Sequence, residues 1–155
     1  PFDLAELLTQ LDNMFQNAIQ QKGLTFHHKM AAKAPARLTG DALRLRQILV
    51  NLVGNAVDAC SAPSGRVEIS TAEDAQGLAV SVSDNGCGIS RENQEKLFDA
   101  FFSTKESGMG MGLAISQTII SHHHGKIRAD SWPGKGSTFT IVLPSSVEAV
   151  VSAAS

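Results

Sequence analysis

Between Leu45 and Ala59 the chain has the pattern of a helix that must pack amides at the edge of a core. Leu45, Ile48, Leu49, Leu52, Ala56 and Ala59 recur at the spacing of one apolar face. At roughly 100° per residue, Asn51, Asn55 and Asp58 fall within about 60° of one another on the adjoining arc. A polar stripe in that position borders the core and does not face open water. An amide left there without a partner costs about 1–3 kcal/mol, so something polar is expected against it. An amide carbonyl is also a neutral hard-oxygen ligand of the kind Mg²⁺ accepts.

The 155 residues, 43% of them hydrophobic and 18% charged, suffice for one globular domain with a real core. A net charge of −2 without clustered Lys and Arg excludes a nucleic-acid surface. Cys60 and Cys87 are too few for a zinc site or a disulfide framework, so a reducing, cytoplasmic setting is expected. No apolar stretch is long enough to span a bilayer, and no direct membrane contact is expected of this piece. The chain opens on Pro1 and not on Met, which suggests a part of something longer.

Leu4, Leu7, Leu8, Leu11, Phe15, Ala18 and Ile19 predict a helix over about 4–21, opened by the capping box Asp3-Leu4-Ala5-Glu6 and stopped by Gly23. Residues 24–30 read as a short strand. Asp41 can cap the asparagine helix, which runs to about Cys60. Val67 and Ile69, then Leu78, Val80 and Val82, alternate with polar residues across a turn, which is a β-hairpin. Ser90 is expected to cap a short helix through Leu97, and a further helix covers about 113–123. A second hairpin is built from 126–132 and 137–143 around Pro133-Gly134-Lys135-Gly136. Three main helices on one face of about five strands in a mixed sheet make an α+β fold, a two-layer sandwich. Residues 1–144 form the domain, and 145–155 lack periodicity and are expected to be a disordered tail.

Two glycine-rich segments carry chemistry. Asp84-Asn85-Gly86-Cys87-Gly88-Ile89 sets an acid at a strand end beside permissive backbone, where it can accept from a ligand amine while the chain passes close to a flat ring. Gly108-Met109-Gly110-Met111-Gly112-Leu113 places alternate glycines before a helix, freeing N–H groups for phosphate oxygens. It is neither a Walker A loop nor a dinucleotide fingerprint. Lys105, just upstream, can bring a point charge to a terminal phosphate or simply be solvated. His122-His123-His124 cannot share one helix face, so they read as a cationic helix C-terminus and not as a metal site.

In this order, the Asn51-x-x-x-Asn55 helix, Asp84-x-Gly86-x-Gly88, Phe98-Asp-Ala-Phe101-Phe102-Ser-Thr-Lys105 and the Gly108/Gly110/Gly112 loop closely resemble the N, first-glycine, F and second-glycine boxes of sensor histidine kinases. Gly134-Lys135-Gly136-Ser137-Thr138-Phe139 is similar to the last box. The resemblance implies the Bergerat fold, with ATP and Mg²⁺ as cofactors. It implies Asn55 as the metal ligand, with Lys105 as the second catalytic group, and Asp84 as acceptor for the adenine amino group. Asn51, Asp58, Gly86, Gly88 and Ile89 would line the nucleotide, Gly108, Gly110, Met111, Gly112 and Leu113 would cover it, and Thr138 would border the adenine. Hydrolysing members of the wider family carry a glutamate where this chain has Asn51. An amide cannot take a proton from water, so ATP is kept for another acceptor.

The histidines at 27–28 and 122–124 lack the following acid of a phosphoacceptor. The implied partners are therefore a separate dimerisation and histidine-phosphotransfer domain of the same parent, and a response regulator receiver domain. Two rival readings are a nucleotide-binding scaffold without transfer activity and an ATPase of the same fold.

Overall fold

The computed structural model describes residues 2–29, 37–38, 42–60, 64–74, 77–99 and 112–144. In chain order the elements are β1 (Phe2–Asp3), α1 (Leu4–Lys22), β2 (Thr25–Lys29), β3 (Arg37–Leu38), α2 (Ala42–Ala59), β4 (Arg66–Asp74), β5 (Gly77–Asp84), α3 (Arg91–Gln94), α4 (Gly112–His122), β6 (Lys126–Trp132) and β7 (Gly136–Pro144). The Asp41 cap, the loop through 103–111 and the tail 145–155 lie outside the described residues.

Five strands form one sheet in the order β2-β4-β5-β7-β6, with β2 parallel to β4 and every other pair antiparallel. The expected α+β sandwich with a five-stranded mixed sheet is thus the architecture found. Two features escaped the sequence patterns. The two-residue strands β1 and β3 pair apart from the main sheet. The helix expected through Leu97 is a single turn, α3, opened by Ser90 Oγ accepting from Asn93 N–H at 3.2 Å. Beyond it the chain tightens, with Lys96 N–H bonded to Asn93 O and Leu97 N–H to Gln94 O, and Leu97 enters the core.

The core lies between the helices and one face of the sheet. Leu4, Leu7, Leu8 and Leu11 of α1 and Ile48, Leu49, Leu52 and Val53 of α2 meet Val67, Ile69, Val80, Val82 and Ile141 of the strands. Alternation decides the face, since residues opposite one another in the ladder point the same way. Val82 pairs with Phe139 and Asp84 with Ser137, so Asp84 and Ser137 share the core-side face at its open end. The end of α2 is held by α1, where Lys22 Nζ donates to Val57 O at 2.9 Å and Cys60 O at 3.2 Å. A cation on the last carbonyls of a helix supplies the capping its own backbone lacks.

Candidate functional site

Asn51 is half-buried on α2, and its amide has found its partner on α4. Nδ2 donates to Gly112 O at 3.2 Å and to Ser116 Oγ at 3.3 Å, while Ser116 Oγ donates to Gly112 O at 2.9 Å. Ser116 is fully buried beneath this junction. The first turn of α4, whose leading N–H groups have no partners inside the helix, is thereby docked on the asparagine helix. Asn55 lies one turn further along α2, half-buried, and Asp58 lies exposed in its last turn. Leu113, next to the docked glycine, is half-buried and packs on the core.

The other end of the site is the loop after β5. Asp84 accepts from Gly86 N–H at 2.9 Å and also from Ser137 N–H. Burial raises its pKa above the ordinary carboxylate value, opposed by these two donors. The loop is pressed onto the end of α2. Cys87 N–H donates to Ala59 O at 3.2 Å, and a Cβ on Gly86 would stand 2.4 Å from that same oxygen. Only glycine allows so close an approach. Gly88 is left-handed at φ 73°, and a Cβ there would meet Trp132 O at 2.1 Å. Asn85 fastens the loop from below, accepting from Arg66 N–H and donating to Ser64 O at 3.1 Å. The Cys60 thiol lies beneath, its pKa raised by burial and then by the Asp84 charge.

The β6–β7 hairpin buttresses the same loop. Gly134 N–H donates to Cys87 O at 2.7 Å, and Ile89 N–H donates to Ser131 Oγ at 2.8 Å. Thr138 stands one residue beyond Ser137 and points to the opposite face, its hydroxyl 3.0 Å from Ser83 Oγ. Ser137, not Thr138, shares the face of the Asp84 carboxylate.

The structure therefore brings Asp84, Gly86, Gly88 and Ile89 together at the end of α2, and Asn51, Gly112 and Leu113 together at its middle. Thr138 belongs to neither group. Lys105, Gly108, Gly110 and Met111 lie outside the described residues. Residue-type reasoning passed over Ser137, Ser131 and Gln94. Ser137 was accessible from strand parity, being two residues from the core residue Phe139, whereas Ser131 and Gln94 carry no local signal. His123, read as part of a helix terminus, sits with Nδ1 2.8 Å from Ile119 O. Among the described residues no three His, Cys, Asp or Glu side chains are grouped to hold a metal, and no helix is long and apolar enough to cross a membrane.

The sequence model of histidine kinase-, DNA gyrase B- and HSP90-like ATPases matches residues 40–147, which takes in every described part of this site. This chain belongs to that family. It is 50% identical over 109 residues to the signal transduction histidine-protein kinase AtoS of Escherichia coli, covering 69% of this chain and 18% of that protein. It is also similar to sporulation kinase B of Bacillus subtilis, 32% identical over 143 residues, 92% of this chain and 33% of that one. The chain thus spans a third or less of the curated relatives it matches first. Among solved structures, the nucleotide-free catalytic domain of histidine kinase ThkA superposes with a TM-score of 0.83 at 32% identity, covering 96% of both chains. ThkA has also been solved with the response regulator protein TrrA, at a TM-score of 0.78 and 30% identity over 95% of this chain and 42% of that one. Full-length ShkA in complex with AMPPNP gives 0.84 at 30% identity, over 93% of this chain and 30% of that one. The fold matches that of histidine kinase catalytic domains, and the expected Bergerat architecture is the one found.

Proposed function

We propose that this domain, residues 1–144, binds ATP with Mg²⁺ and donates the γ-phosphoryl group to a histidine on a separate dimerisation domain, from which a response regulator's aspartate is charged. The observation that carries the reading is the Asp84 carboxylate. It is held by two backbone N–H groups at the open end of the core face, beside a glycine loop that leaves no room for a Cβ. An acceptor fixed in this way suits the exocyclic amine of adenine. About 12 Å of α2 separates Asn51 from the Ala59 carbonyl that the loop grips, a length suited to an extended nucleoside triphosphate. The complex of ShkA with AMPPNP and that of ThkA with TrrA support the nucleotide and the receiver domain, respectively.

The donor set also fits a magnesium ion. Asn55 would hold it through a neutral hard oxygen, and the ion supplies charge neutralisation of the phosphates when bound. The remaining work falls to the chain's own groups. The first turn of α4, docked by Asn51, presents N–H donors and a partial positive charge to phosphate oxygens. Gly108, Gly110, Met111, Gly112 and Leu113 would close over the triphosphate, and Lys105 would reach its terminal phosphate. Asp58 would border the nucleotide at the last turn of α2. Ser137, on the face of the Asp84 carboxylate, would take the place beside the base that the resemblance implied for Thr138. Asn51 offers no base for water, so positioning and charge neutralisation favour a protein acceptor over hydrolysis.

The deciding experiment mixes the domain with its parent's dimerisation domain and labelled ATP. Acid-labile phosphohistidine is expected. Its absence sinks the transfer reading, and steady phosphate release by the domain alone would make it an ATPase instead. Titration of Asn55→Ala and Asp84→Ala is expected to lose Mg²⁺-dependent affinity in the first and adenine selectivity in the second.

A further inference from the structure

A polar relay ties the base-facing loop to the β6–β7 hairpin through two side chains outside the family's boxes. Gln94, half-buried at the end of α3, donates both hydrogens of its amide: Nε2 reaches Ile89 O at 2.8 Å and Ser131 O at 3.0 Å. Ser131 is buried, and its hydroxyl is fully used. Its oxygen accepts from Ile89 N–H at 2.8 Å, its proton goes to Gly136 O at 3.0 Å, and Ser137 Oγ, 2.6 Å away, completes it as donor. Ser137 in turn gives its backbone N–H to Asp84. The loop residue Ile89 is thus clamped at both its N–H and its C=O. The same chain of bonds ends on the carboxylate.

We infer that Gln94 and Ser131 are positioning residues, which set the separation between the Asp84 carboxylate and the Gly86–Ile89 wall and so determine purine selectivity. This deepens the nucleotide-binding reading and rests on it. The reason is geometric. Without the clamp, Ile89 and Ser137 move independently, and the acceptor and the wall no longer register on one flat base. The phosphate end of the site, held by the separate Asn51 contact with α4, is left unchanged.

Wild type, Gln94→Glu, Gln94→Ala and Ser131→Ala are titrated with Mg·ATP and Mg·GTP in competition with a fluorescent ATP analogue. Gln94→Glu keeps the shape but aims carboxylate oxygens at two carbonyls. It is expected to weaken ATP binding about tenfold while GTP changes less, so that the ATP preference contracts. Gln94→Ala and Ser131→Ala shift in the same direction by a smaller factor, and either serves if Gln94→Glu does not fold. In phosphotransfer the loss appears in KM for ATP and leaves kcat unchanged. Unchanged ATP affinity overturns the inference, and so does an equal loss for both nucleotides, which marks general loosening of the fold. A wild type that binds no ATP removes the functional reading itself, and the inference with it.

Discussion

Asn51 Nδ2 lies 3.2 Å from Gly112 O, a hydrogen bond spanning 61 residues of sequence. The Asn51 amide therefore has a structural task, locking the first turn of α4 onto α2. Asn51→Asp keeps the shape, removes the donor, and turns a carboxylate oxygen toward a carbonyl oxygen. A loss of about 1–3 kcal/mol is expected from chemical denaturation. Stability within a few tenths of wild type would show that the contact contributes nothing.

Asp84 titrates above the ordinary aspartate range because burial disfavours its charge. Its native pKa exceeds its unfolded one, so protonation stabilises the empty domain. That stabilisation is lost as pH rises through the native pKa. At neutral pH Asp84→Asn is thus expected to raise the Tm of the empty domain, measured by calorimetry. Binding runs the other way, since the ionised form is the better acceptor. Calorimetric titration on lowering the pH from neutral is expected to show wild-type ATP affinity falling before an unshifted carboxylate would protonate. A flat profile in wild type, or no loss of affinity in Asp84→Asn, contradicts the assigned role.

Two glycines that look alike in the sequence predict opposite outcomes. A Cβ on Gly54, inside α2, meets only the Phe15 ring at 3.9 Å, an ordinary contact. Gly54→Ala gains helix propensity, and about 0.5–1 kcal/mol of added stability is expected from urea unfolding. Gly86→Ala instead drives a Cβ to 2.4 Å from backbone, and should both destabilise the domain and abolish nucleotide binding. The pair is read on one denaturation series, and a shift of the same sign in both overturns the packing account.

Lys22 caps α2 from α1, donating to Val57 O and Cys60 O. Lys22→Met keeps much of the aliphatic stem and removes the donor. It is expected to cost about 0.5–1 kcal/mol, with a smaller difference from wild type in high salt. A cost that salt leaves untouched would assign the effect to packing.

Much of this fold was legible because its signals are local. The apolar spacing of α1 and α2, the alternation in both hairpins, and each glycine box taken singly act over a few residues of chain. The site was legible only in part. Asp84 announces itself by type and by its place at a strand end before two glycines. Ser131 and Gln94 do not, since the bonds that join the hairpin to the loop and to α3 span 42 and 37 residues of sequence.

By itself the sequence determined the main helices and the two hairpins, the family and the chemical kinds of group available to the site, because helix periodicity, strand alternation and glycine placement act over one or two turns of chain. The tertiary structure alone decided which of those groups meet. The pairing of β5 with β7 sets Ser137 opposite Asp84 and sends Thr138 to the other face. The packing of α4 on α2 gives the Asn51 amide a carbonyl. Register and docking are chosen by the burial of the whole core, and a slip of one residue exchanges every face, so no local pattern could have carried either result.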